Sequence, residues 1–249
     1  MLARSSAGNQ TAPMLELGHH FDQLAELLMS AEAGPPDPAR VVRFAARGVP
    51  HMQHCGLTVV RKAGRPVTVA ATGEVSRQVD DIQYETSQGP CLEAVKGHDV
   101  ARAADLATDV QWPEFARRCV AETNVRSMFS LRLFLPADDR AALNFYAERA
   151  DVFDDMDVAI GAMFAPFAAL AVQNEMRAAE IDNLHTALQA SRRIGVAIGI
   201  LMARYLVTYE QGFGMLAAAS QHLNRKLRDI AAEVAETGEL PDGGGPDYR

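Results

Sequence analysis

The sequence lacks the marks of several large protein classes. Its 249 residues include only three cysteines, Cys55, Cys91 and Cys119, with no CxxC pair. An odd count without that spacing gives neither a closed disulfide framework nor a zinc ribbon, and a reducing compartment is expected. No GxGxxG, P-loop, nucleophile elbow or HExxH motif occurs, so the common signatures of dinucleotide, phosphate, esterase and zinc-protease chemistry are missing. The longest apolar run without proline, 194–203, has ten residues between two arginines, half of what a bilayer crossing needs. Residues 1–13 carry an arginine but no apolar stretch of signal-peptide type. A cytoplasmic protein with no membrane partner is the expectation.

What is present suits a packed protein. Hydrophobic residues make up 48% of the chain, and the net charge is −8. The charge is uneven. Between residues 185 and 240 there are six basic and five acidic side chains, leaving 18 basic against 27 acidic elsewhere. A near-neutral end on an acidic body points toward a polyanionic partner.

Along the chain, residues 1–13 are small and polar and are expected to be disordered, as is the Gly- and Pro-rich tail 241–249. Leucines with Phe21 predict an amphipathic helix over 14–29. Asp37-Pro38 predicts the start of another, ending before Pro50. Short β-rich runs at 55–60 and 67–71, split by Ala63-Gly-Arg-Pro66, predict a hairpin. Residues 80–89 read as a polar loop, and a short helix follows from Pro90. A strand at 99–102, a helix at 112–121 and strands at 127–135 and 142–147 complete this region. From Asp154 helix is predicted for about 50 residues, with a kink at Pro166. Thr208 and Gln211 form a capping box for a further helix, and Asn224 is placed to cap a last one.

Within the long helix, fourteen positions from 160 to 205 follow a 3-4 spacing, and ten of them are apolar. That is the pattern of a coiled-coil seam, which predicts a homodimer joined through Ile181, Leu184, Leu188 and Ile198. Packing of its first half on the protein's own sheet is the alternative.

Two resemblances sharpen this reading. Arg193-Ile-Gly195, Ala197, Gly199-Ile-Leu-Met-Ala-Arg204, Phe213, Ala219-Ser220 and Asn224-Arg-Lys-Leu-Arg-Asp-Ile-Ala231 resemble the ANTAR family over residues 185–240. That resemblance implies a three-helix module that binds paired RNA stem-loops, as a dimer, in transcription antitermination. It implies RNA contacts from Arg192, Arg193, Gly199, Met202, Arg204, Arg225, Lys226 and Arg228. Cations meet phosphates and unpaired loop bases offer stacking. Gly195 and Gly199 lie one helical turn apart and each costs about 1 kcal/mol of helix propensity, offset by close contact or helix packing. Two departures stand out: Ile198 where members commonly carry lysine, and Gly212 where they carry alanine.

Upstream, Asp81-Ile-Gln-Tyr84, Gln88-Gly-Pro-Cys-Leu-Glu-Ala94, Asp105-Leu106, Trp112-Pro113, Val125-Arg-Ser127 and Leu143-Asn-Phe-Tyr146 resemble GAF sensor domains over 14–175. This implies an α+β fold: an antiparallel sheet with flanking helices and a small-ligand pocket drawing on Gln83, Tyr84, Cys91 and Trp112. Residues 176–190 become a helical coiled-coil linker. Cys91, at the first turn of a predicted helix, is the best-placed thiol for redox sensing, with a small buried residue as the alternative. The trio His51, His54 and Cys55 has no second cluster to complete a metal site, so no metal and no cofactor are expected. The paired carboxylates, Asp80-Asp81 among them, suit turns and helix starts.

The sequence thus predicts a regulator rather than an enzyme: a GAF-like sensor on an ANTAR-like RNA-binding module. The other reading is a dimeric sensor or scaffold whose C-terminal domain binds a protein partner.

Overall fold

The computed structural model describes residues 37–62, 64–136 and 138–241. The helix expected at 14–29 and the disorder expected at 1–13 and 242–249 lie outside them. The chain divides into two compact units, Met1–Met176 and Arg177–Arg249.

In the first unit, α1 (Pro38–Gly48) begins as expected: Asp37 caps it by accepting from the Arg40 amide at 2.8 Å, with proline in the first turn. The hairpin β1 (His54–Val60) and β2 (Val67–Ala71) follows. Next comes α2 (Glu74–Thr86), where the sequence reads in part as a loop. Then come α3 (Pro90–Lys96), β3 (Val100–Ala103), α4 (Pro113–Glu122), β4 (Ser127–Phe134) and β5 (Arg140–Ala147). The five strands form one antiparallel sheet in the order β2-β1-β5-β4-β3.

Strand alternation gives this sheet two different faces. Leu57, Phe129, Leu131, Leu143 and Phe145 turn to one side. There they meet Val41, Val42 and Ala45 of α1, and Ile160, Phe164, Ala168 and Val172 of the long helix α5 (Asp155–Tyr205). Phe129 and Phe145 stack with centroids 4.4 Å apart. Gly161 lets α5 approach this pair, since a Cβ there would stand 3.1 Å from Phe129 and 3.2 Å from Phe145. Met128, Ala142, Asn144 and Tyr146 turn to the opposite face, under α2, α3 and α4. The α+β architecture expected from the sequence is therefore the one found. The helix continues through Pro166, whose side chain is on its exposed side. An 18-residue window of α5 is apolar enough by length and composition to cross a bilayer, but 44% of it is buried within the protein.

The second unit holds the end of α5 with α6 (Tyr209–His222) and α7 (Leu227–Thr237). Ala197, Ile198 and Leu201 of α5 pack with Leu216, Ala219, Ile230, Ala231, Val234 and Leu240. The capping box at Thr208 is formed as expected. Asn224 is not the cap of α7. It takes a left-handed backbone at φ 51°, which asparagine tolerates, and Lys226 occupies the cap position.

Candidate functional site

Helix α2 carries a polar stripe where an amphipathic helix normally carries an apolar one. Ser76, Asp80 and Gln83 recur at helical spacing and are all buried, beside Val79 and Ile82. The stripe faces the sheet, and Asp80 is its centre. Its Oδ1 accepts from the Tyr146 hydroxyl, from Asn144 Nδ2 at 3.3 Å and from Gln83 Nε2 at 3.4 Å. Its Oδ2 accepts from the Thr68 hydroxyl at 2.7 Å. Gly56 on β1 makes room for this carboxyl, because a Cβ there would come within 3.0 Å of Oδ2. The Tyr84 hydroxyl lies 2.8 Å from both Thr58 and Thr68. Gln83 Oε1 accepts from the Cys91 amide at 2.9 Å, and Asn144 Nδ2 approaches the Cys91 sulfur at 3.4 Å. Gly89, at φ 127°, leaves room for Gln83 that a side chain would take.

Gln83, Tyr84 and Cys91 are thus brought together. Trp112 is not with them. It lies in the neighbouring apolar cluster with Leu106, Phe115 and Ala116. Asp80, Asn144, Tyr146, Thr58 and Thr68 are the members that sequence reasoning missed. A usable signal existed in the polar spacing of 76, 80 and 83.

The electrostatics follow from burial. With no ion-pair partner among the described residues, the Asp80 carboxyl is raised to about 7 by desolvation. Hydrogen bonds from Tyr146 and Thr68 oppose the shift, and the charge of Asp81 adds to it. Asp80 is therefore no helix-start or turn carboxylate but a wholly buried acid facing the sheet. Burial and the nearby Asp80 push the Cys91 thiol far above its ordinary range, as they do Cys55, and burial pushes Cys119 up to about 11. Cys91 is consequently a sealed thiol and not the activated one its helix-start position suggested. Two further polar atoms, Ser130 Oγ and Asn144 Oδ1, are buried with no partner among the described residues, on residues directly opposite in the β4–β5 register.

Among the described residues no group of three His, Cys, Asp or Glu is arranged to hold a metal. His51 and His54 instead face Asp157 at 3.6 Å and Glu148 at 3.3 Å. A separate groove of about 700 Å³, lined chiefly by Val100, Leu131, Phe134, Pro166 and Leu170, contains none of the predicted site residues.

In the second unit, Arg192 and Arg193 are exposed, as are Arg225, Lys226 and Arg228. Half of the predicted RNA-contacting cations are already engaged within the module. Arg204 donates to the Gly238 carbonyl at 3.0 Å and to Glu239 at 2.8 Å; Arg225 meets Glu233 at 2.7 Å and Arg228 meets Asp229 at 3.6 Å. Arg192, Arg193 and Lys226 have no ion pair among the described residues. Nothing lies within 4 Å of a Cβ built on Gly195 or Gly199, so packing inside the module does not account for either glycine. Met202 is exposed beside Gly212.

Ile181, Leu184 and Leu188 stand 55%, 57% and 66% exposed, an open apolar row. Ile198 does not belong to that row. It is wholly buried in the module's own core, under α6, and is removed from the predicted seam.

Residues 182–234 match the ANTAR domain family model. Solved structures similar in shape include the GAF domain of a phosphoenolpyruvate-protein phosphotransferase from Coxiella burnetii, at 15% identity, with 67% of this chain and 98% of that one covered and a TM-score of 0.48. An N-acylhomoserine lactone dependent LuxR family transcription factor from Burkholderia cenocepacia gives 13%, 66%, 99% and 0.47 in the same order. A free methionine-R-sulfoxide reductase from Neisseria meningitidis gives 14%, 71%, 98% and 0.44. Likenesses at this level carry no argument about ligand or activity. No curated protein matches the chain.

Proposed function

We propose that this chain is a cytoplasmic, signal-responsive regulator whose ANTAR module binds paired RNA hairpins to cause transcription antitermination. The observation that carries the reading is the ANTAR match over a module that leaves Arg192, Arg193 and Lys226 exposed and without an ion pair among the described residues, together with the open face at Gly195 and Gly199. Unpaired exposed cations exchange counterions for phosphates at no loss of an internal ion pair. The apolar row Ile181, Leu184 and Leu188 supports a homodimer, which presents two modules to two hairpins and gains affinity through bivalency. The buried polar cluster around Asp80 supports a sensor of a small ligand able to exchange hydrogen bonds with Asn144 and Ser130. The sealed thiols do not favour redox input. The role is regulatory, not catalytic.

A second reading, a module that docks a protein partner, is favoured by the internal engagement of Arg204, Arg225 and Arg228. A gel shift with a paired-hairpin RNA separates the two. RNA recognition requires salt-sensitive binding that Arg193→Ala weakens, and Leu188→Glu to abolish the bivalent gain. Absence of binding, or binding indifferent to salt, favours the protein partner.

A further inference from the structure

Two aromatic rings on the ANTAR module are left in solvent. Tyr209 is 56% exposed and Phe213 is 42% exposed, on successive turns of one face of α6. Their Cβ atoms are about 6 Å apart by helix geometry. Tyr209 is the first residue of α6, in a turn fixed by the capping box. There Gln211 Oε1 accepts from the Thr208 amide at 2.8 Å, and Thr208 Oγ1 accepts from the Gln211 amide at 3.3 Å. The rings are therefore held at a fixed spacing, although neither has an aromatic or cationic partner among the described residues. Leu206, 92% exposed, precedes them. Close packing of Gly212 against Ile198, where a Cβ would stand 3.2 Å from Ile198 Cγ2, sets this stretch of α6 on the end of α5.

From this placement we infer that Tyr209 and Phe213 form a stacking platform for unpaired bases of the RNA hairpin loops. The inference rests on the RNA-binding reading above. The occupant is chosen by charge and shape. Arg192, Arg193 and Lys226 lie exposed on the same module with no ion pair among the described residues, which favours a polyanion, and flat rings match the faces of nucleobases. Phosphate contacts through the arginines supply the salt-dependent part of binding. Stacking supplies a part that salt leaves unchanged and that a fully paired RNA does not receive.

The test uses the full chain and two synthetic RNAs: a pair of stem-loops with unpaired loop bases, and the same stems closed into a continuous duplex. Tyr209→Leu retains apolar area and removes the ring, whereas Tyr209→Phe retains the ring; circular dichroism confirms that both fold. Tyr209→Leu is expected to bind the stem-loop RNA at least about fivefold more weakly, with the same salt slope and unchanged duplex binding. Tyr209→Phe is expected to match wild type, and Phe213→Leu to follow Tyr209→Leu. Equal binding by Tyr209→Leu and wild type overturns the platform and leaves the RNA reading intact, as does equal weakening on both RNAs. Wild-type protein that binds neither RNA overturns both, and the exposed face then belongs to a protein partner.

Discussion

Gly212 of α6 lies against Ile198 of α5: a Cβ on Gly212 would stand 3.2 Å from Ile198 Cγ2 and 3.5 Å from its carbonyl oxygen. The two positions at which this chain departs from its ANTAR resemblance are thus in contact. The missing Cβ on α6 leaves the room that the β-branched Ile198 fills on α5, and the module core keeps its close packing.

That pairing gives a stability cycle with a change of sign. In wild type, Gly212→Ala gains about 1 kcal/mol of helix propensity but crowds Ile198, so its net effect is near zero or destabilising. In an Ile198→Ala background the crowding atom is gone, and the same substitution is expected to stabilise by about 1 kcal/mol. Ile198→Lys, which restores the cation implied by the resemblance, buries a charge and is expected to cost several kcal/mol. Chemical denaturation of the four cycle variants checks the coupling, and additivity would contradict it.

Asp80 predicts a pH dependence of stability. Its carboxyl is raised to about 7 in the folded protein from an ordinary value of 3.8. Between these values the folded state holds a proton that the unfolded state has released, so stability falls as pH rises from about 4 to 7. The penalty is complete above that range, on the order of 4 kcal/mol. Urea unfolding at pH 5 and pH 8 should show a loss in wild type that is much smaller in Asp80→Asn. Parallel pH profiles would remove Asp80 as the cause.

The thiols should be inert. Cys55, Cys91 and Cys119 are all free and buried, and burial holds each in its protonated form. A thiol reagent at pH 8 is expected to label none of the three in native protein and all three in denaturant. Rapid labelling of Cys91 in native protein would restore a redox role.

The ion pair between Arg204 and Glu239 is solvent-exposed, worth roughly 0–1 kcal/mol. Glu239→Gln should leave the melting temperature almost unchanged and release Arg204 toward phosphate. The expected result is a few-fold tighter RNA binding at low salt, with the slope of log K against log salt steeper by about one. An unchanged slope would exclude Arg204 from the interface.

Elements were legible where the pattern was strong and local. The hairpin at Val60 and Val67, the Asp37 cap, the Thr208 capping box and the long α5 follow from residue types at fixed spacing. Helix α2 was illegible from Asp80 onward, because Asp80 and Gln83 contribute polar groups to a buried face and periodicity scales count polar residues as solvent-facing. Trp112 shared a family resemblance with Gln83, Tyr84 and Cys91, but motif membership carries no distance, and its ring serves a different apolar cluster.

By itself the sequence determined the class of fold, the ANTAR resemblance of the second unit and the cationic and apolar rows on it, since these depend on local periodicity and residue chemistry. Only the tertiary structure decided which members of each row are free. A 3-4 spacing shows that Leu188 and Ile198 share a stripe but not what covers it, and Ile198 is covered by its own module while Leu188 is open. An arginine count likewise shows positive charge but not its partner. Arg204 and Arg225 are joined to acidic residues that follow them in sequence, while Arg192 and Arg193 are not.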